Sequence, residues 1–270
     1  MLTLLLALFL APSLTAPEAP SPSVAYEQAW SDLLRRVVTD DGLVRYDRLA
    51  GPLADEFAAV VDAVETFDAS TLTSEAARLA FWMNAYNVKM VERVLAKGTP
   101  PNIERAGFDA FFKTPVRVAG RDVTLDEIEN VILRRQPTTT LSALQVRALD
   151  PRIHVGLNCG AVSCPRLRSR AFTAANVDAE LDRAMGDFVN SRHHFRYDGD
   201  TAVLSSLLDW FGADFDATGE PAGDYLLGFM DASRPSAARL RALFEGRTAA
   251  EIKAQPNVRF EYRWGLNAAK

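Results

Sequence analysis

The stretch Asp150–Pro165 reads DPRIHVGLNCGAVSCP and holds both cysteines of the chain, Cys159 and Cys164, together with His154, one of only three histidines. A thiol becomes a strong nucleophile when a base removes its proton, and here imidazole and thiols share one short stretch. This pattern allows one of the two cysteines to act as a nucleophile with His154 as its base. The same two thiols can instead close a disulfide, which across so short a loop stabilises by only about 2 kcal/mol in the chain-entropy picture. Reversible thiol–disulfide exchange is a third chemistry open to them. A zinc site would need His154, both cysteines and His193 or His194, with the cysteines spaced at the loose end of the usual range, and no metal is assigned. Gly160, Ala161 and Ser163 are small, so backbone N–H groups there can approach a substrate oxyanion.

These residues need elements to hold them. Ile153, Val155 and Leu157 alternate with His154, Gly156 and Asn158, which predicts a strand with a bend at Gly160. On such a strand His154 shares a face with Gly156, leaving open space beside the imidazole. A straight strand would turn Cys159 away from His154. A bend at Gly160 would return Cys164 toward it, and a turn at Asn158 would expose Cys159. Thr124 and Glu127 form a capping box that starts a helix with Leu125, Ile128 and Ile132 on one face. Glu129 falls within that apolar face, where a carboxylate is costly unless paired. It would orient the His154 imidazole or hold an arginine such as Arg152.

Thr73 or Ser74 caps a long helix that ends near Gly98. Asn84 and Asn87 lie on its apolar side, where buried amides must find partners. They would line a site or tie two core elements together. Arg166, Arg168 and Arg170 form a basic group able to receive a carboxylate or phosphate, or simply a solvated edge. His193–His194 reads as an exposed helix end.

The remaining pattern predicts helices over 26–38, 55–66, 206–215 and 235–244, and one capped by Thr173. It also predicts a short strand over 42–46, a hairpin around Asp198-Gly199-Asp200 and a final strand over 258–264. There is no regular βαβ spacing. The expected class is α+β, a single helix-rich domain with a small mixed or antiparallel sheet.

The chain has 270 residues, 48% of them hydrophobic, and a formal net charge of -5. An acidic balance argues against nucleic acid and against general binding to anionic membranes. Leu2–Leu10 is apolar and Ala11–Ala16 is rich in small residues, which predicts a signal peptide over 1–16. A linker over 17–23 and one domain over 24–267 follow. Export to the periplasm or the extracellular space would place the cysteines where disulfides persist. The apolar run is too short to span a bilayer, and no later run is longer. The sequence calls for no cofactor and carries no signal for oligomeric state. Its expected partner is a small-molecule or peptide ligand.

The blocks AFWMNAYN (80–87), VTLDEIENVILR (123–134) and DPRIHVGLNCGAVSCP resemble the domain-of-unknown-function family DUF547. The later blocks LSSLLDWFGADF (204–215) and YRWGLN (262–267) resemble its C-terminal elements. The resemblance implies a mixed, helix-rich domain whose signature residues fall on Asn84, Asn87, Glu129, His154, Cys159 and Cys164. This chain departs at Asn130, where the family often has histidine. Some plant relatives lack the second cysteine, which favours Cys159 as the functional thiol and argues against an obligatory disulfide.

The leading expectation is an exported thiol-dependent hydrolase or acyl transferase acting on an amide or thioester. Cys159 would be the nucleophile, His154 the base and Glu129 the orienting group. Asn84, Asn87, Asn158, Gly160 and Cys164 would bind. The alternatives are a ligand-binding module shaped by a Cys159–Cys164 disulfide, and a thiol–disulfide exchange protein.

Overall fold

The structure, a computed structural model, describes residues 22–269. The expected signal peptide and the linker residues 17–21 lie outside the described residues. Helix α1 (Pro22–Val37) begins within the expected linker. Proline is tolerated at a first helical position because that N–H has no intrahelical partner anyway. Helices α2 (Tyr46–Ala50), α3 (Ala54–Glu65) and α4 (Glu75–Ala96) follow. Ser74 caps α4 by accepting the Ala77 N–H at 3.1 Å, and α4 is buried on nearly every side from Leu79 to Val94.

The strand expected over 42–46 is not formed. Val44 makes only single bridges, to Val38 and Ala268, and Tyr46 already opens α2. Helix α5 (Phe108–Phe112) precedes a small antiparallel hairpin, β1 (Val116–Val118) with β2 (Arg121–Val123). The predicted capping box is present: Glu127 N–H donates to Thr124 Oγ1 at 3.0 Å, and Thr124 N–H donates to Glu127 Oε2 at 2.8 Å. The helix it starts then widens into a π-helix over Glu127–Leu133.

The predicted strand through His154 is instead one helical turn, α6 (Ile153–Gly156). Gly156 does not leave open space there. A Cβ on it would meet Met83 Cε at 2.0 Å and Leu181 Cδ2 at 2.9 Å, so glycine lets α6 approach α4 and α7 (Val177–Asn190) closely.

The C-terminal half carries β3 (Phe195–Asp198), β4 (Thr201–Ser205), α8 (Ser206–Asp216), α9 (Ala222–Leu227), α10 (Ala237–Phe244), α11 (Ala249–Lys253) and β5 (Val258–Glu261). The predicted hairpin pairs β3 with β4 antiparallel, and β5 joins β4 in parallel. The fold is α+β.

Two hydrophobic clusters fill the interior, and α7 serves both. Val177 and Leu181 pack with α1, α3 and α4, while Met185 and Phe188 pack with the β3–β4–β5 sheet and α8–α11. After β5 the chain stitches these parts together. Trp264 C=O accepts from Ile103, Gly265 C=O from Val162, and Asn267 C=O from Val44, at 2.9, 2.7 and 2.8 Å. This segment carries the Tyr262 hydroxyl to the sulfurs of the cysteine loop and packs Trp264 against Tyr262 and Phe108.

Candidate functional site

Cys159 and Cys164 are joined in a disulfide, and no free cysteine exists. The loop that they close is braced from inside by Asn158. Its Nδ2 donates to Pro165 C=O at 2.9 Å, and its Oδ1 accepts from Gly160 N–H and from Asn267 Nδ2, each at 3.1 Å. Gly160 has φ +77°, a left-handed conformation that favours glycine. Two of the three expected oxyanion donors are already committed: Gly160 N–H serves Asn158, and Ser163 N–H serves Arg263 C=O at 3.3 Å. The sulfurs have their own donors. Cys159 N–H points at Cys164 Sγ at 2.8 Å, and the Tyr262 hydroxyl lies 2.9 Å from Cys159 Sγ and 3.1 Å from Cys164 Sγ.

His154 sits on α6 with its side chain fully buried, stacked on Phe211 at 4.0 Å between ring centroids. Its Nε2 lies 2.8 Å from Asp214 Oδ2. A carboxylate can only accept there, so the proton belongs on Nε2 and Nδ1 is the bare acceptor. Nδ1 has no hydrogen-bond partner among the described residues, and Glu129 Oε1 stands 3.9 Å from it. Burial pushes the His154 pKa below its usual value, against the opposing pull of Asp214, so the ring is neutral near pH 7.

Asp214 comes from α8 and was not foreseen. Arg134 grips it with two bonds, Nε to Oδ2 at 2.6 Å and Nη2 to Oδ1 at 3.0 Å. Although burial raises the Asp214 pKa, the hydrogen bonds from His154 and Arg134 outweigh it and hold the carboxyl down at about 2. Arg134 also donates to Asn130 Oδ1 at 2.6 Å, and Asn130 donates to Asp126 Oδ1 at 3.1 Å. A continuous polar chain thus runs Asp126–Asn130–Arg134–Asp214–His154. Asn130, standing where the DUF547 resemblance leads one to expect histidine, is an amide link that both accepts and donates.

The π-helix explains how Glu129 reaches this place. Arg134 N–H donates to Glu129 C=O at 2.9 Å, one residue further on than in an α-helix. The wider turn lets Asp126, Glu129 and Asn130 face a pocket while Ile128, Ile132 and Leu133 stay in the core. Glu129 does not hold Arg152, which is bound by Asp150, Asp178 and Asp182. Burial drives the Glu129 pKa up to about 7, against Arg134 and the Tyr86 hydroxyl, which lower it.

The pocket has a volume of about 150 Å³. Its base is Glu129, His154 and Asp126, one side is the disulfide, and the walls are Phe108, Trp210, Phe211, Tyr262 and Trp264. Leu207, Trp210 and Phe211 reach it because spacings of three and four put them on one face of α8. Trp210, 45% exposed, and Phe108, 43% exposed, form the rim.

Several expected site residues serve packing instead. Asn84 makes a two-way clasp with Phe172, donating to its C=O at 2.7 Å and accepting its N–H at 3.0 Å. Asn87 does the same between Gly156 C=O, at 3.0 Å, and Asn158 N–H, at 2.8 Å. Both amides tie α4 to the 156–172 region and neither lines the pocket. Arg168 and Arg170 do receive a carboxylate, but it is the chain's own Glu180, 1% exposed, which Arg183 also contacts. His194 is not an exposed helix end: it is buried against Phe188, with ring centroids 4.6 Å apart. Among the described residues no cluster of three or more His, Cys, Asp or Glu side chains could hold a metal ion.

Residues 70–189 match the DUF547 family. Its description is a protein of unknown function. No curated protein and no solved structure matches the chain. The DUF547 match contains Asn84, Asn87, Glu129, His154, Cys159 and Cys164, and also Arg134. The blocks over 204–215 and 262–267 lie beyond it, so Trp210, Tyr262 and Trp264 complete the pocket, and Asp214 holds His154, from outside the DUF547 segment. No helix among the described residues is long and apolar enough to cross a membrane.

Proposed function

We propose that this protein binds a small organic ligand in the aromatic pocket, with the Cys159–Cys164 disulfide as a fixed wall. One observation carries the reading: rings from α5, α8 and the segment after β5 converge over a base of polar acceptors, one of which, His154 Nδ1, is buried without a partner. A well-formed apolar pocket with a few convergent polar groups is the usual form of a small-molecule site. Unpaired buried acceptors are costly, and a ligand donor would satisfy this one. We place the protein in an oxidising compartment, reached through the apolar leader, where the disulfide persists.

A ligand-observed NMR screen of small aromatic fragments tests the proposal, with wild type and Trp264→Leu run side by side and folding checked by circular dichroism. Fragments that bind wild type and lose binding in the variant support it. A screen in which no hit depends on Trp264 sinks it.

A second reading rests on the two donors at the sulfurs, the Tyr262 hydroxyl and the Cys159 N–H. Both would stabilise a thiolate after reduction. An external dithiol would attack one sulfur to form a mixed disulfide. Its second thiol would then displace that bond, leaving two protein thiols and the oxidised dithiol. Exchange needs nothing more, and acyl transfer by Cys159 would require this reduced form. Iodoacetamide mapping near neutral pH, before and after a dithiol titration, separates the cases. A bridge that resists reduction until the protein unfolds rules out thiol chemistry and leaves the binding module.

A further inference from the structure

Every side chain with a charge or an unmet hydrogen bond at the base of the pocket is an acceptor. Asp126 and Glu129 are carboxyl groups, and the neutral His154 ring presents Nδ1. Among the described residues no lysine or arginine lines the pocket. The cations nearby are held elsewhere: Arg134 is clamped on Asp214, and Lys113 is paired with Asp109 at 3.0 Å. The walls point the same way. Trp210, Tyr262 and Trp264 form a continuous aromatic surface, with centroid separations of 4.8 Å between Trp210 and Tyr262 and 4.5 Å between Tyr262 and Trp264. Phe108 meets Trp264 edge-on at 5.4 Å. Aromatic faces carry negative charge density and attract organic cations.

We infer that the ligand of this pocket is a protonated amine with apolar substituents, its ammonium N–H groups directed at Glu129 and His154 Nδ1 and its carbon skeleton against Trp210, Tyr262 and Trp264. The inference rests on the binding reading above and narrows it to one chemical class. A neutral donor can meet one acceptor but leaves the Glu129 carboxylate without a countercharge. An anion would also meet two carboxyl groups and the electron-rich ring faces.

Isothermal titration calorimetry at about pH 8 tests this with three probes on one skeleton: phenethylammonium, the corresponding alcohol and the corresponding carboxylate. The expected result is ammonium affinity at least about tenfold above the alcohol, no detectable carboxylate binding, and a ratio lowered about threefold or more in Glu129→Gln. Equal affinity for ammonium and alcohol, or preference for the carboxylate, overturns the cation assignment while leaving a binding pocket. Absence of binding by all three probes overturns both readings. The wild-type comparison stands even if Glu129→Gln fails to fold.

Discussion

His154 and Asp214 lie 60 positions apart in the chain and meet at 2.8 Å, Nε2 to Oδ2. This contact fixes the imidazole tautomer and leaves Nδ1 as an acceptor beside the pocket. It also joins α6, inside the DUF547 segment, to α8 outside it. Arg134 supplies the countercharge, so the three groups act as one unit.

Replacing Asp214 with Asn breaks that unit. The Asp214 pKa is lowered in the folded state, from 3.8 to about 2. Its contribution is therefore present above about pH 4 and is lost as pH falls toward 2. Asp214→Asn is expected to cost about 2 kcal/mol at pH 7 and progressively less below pH 4. Urea unfolding at several pH values measures this, and a cost independent of pH would contradict the ion-pair account.

Glu129 has the opposite sign. With its folded pKa raised to about 7, the folded protein holds a proton that the unfolded chain releases at lower pH. Stability from this group is full below about pH 4.5 and is lost as pH rises through 7. Facing it are Tyr86, Asp126, Arg134, His154, Asp214 and Tyr262. Ammonium binding needs the carboxylate, so affinity should climb between pH 6 and pH 8. Glu129→Gln should flatten both the binding profile and this part of the stability profile.

His194 provides an acid-sensitive element on the other side of the cysteine loop. Burial lowers its pKa from 6.5 to about 3, with His193, Arg166 and Arg263 adding in the same direction. Its contribution is present above pH 6.5 and is lost as pH falls toward 3, because the unfolded chain takes up the proton first. His194→Phe should be less acid-sensitive than wild type over that window. Thermal melts at matched ionic strength give the answer, and parallel pH profiles would reject the assignment. The Glu129 and His194 slopes oppose each other, so each is read from the difference between variant and wild type.

Gly156→Ala places a methyl group 2.0 Å from Met83 Cε. Overpacking of this kind costs about 1–3 kcal/mol. Met83→Ala should recover part of that loss when combined with it, a coupling that a double-mutant cycle measures. Additive losses would mean that the two groups do not compete for the same space.

Local chemistry decided much of this protein from sequence alone. The Ser74 cap, the Thr124–Glu127 box, the apolar spacing of α4 and α8 and the turn at Gly199 each involve residues a few positions apart, and each formed as its pattern required. The class α+β followed from them. The stretch 153–157 went the other way, because residues 153–158 are buried throughout and alternation there does not mark a face. A run this short does not separate a period of two from one of 3.6.

The pocket itself belongs to the tertiary structure. It exists because the segment after β5 crosses the cysteine loop and carries Tyr262 to the Cys159–Cys164 bridge and Trp264 to the pocket wall, while α8 brings Phe211 and Asp214 to His154 of α6. An aspartate three residues after Phe211 and one before Phe215, on the apolar side of α8, was the visible trace of a buried partner. Which group it would meet was set by packing between elements distant in the chain. Spacing along a sequence encodes contacts within a helix turn or a hairpin, and it holds no comparable record of contacts made across a core.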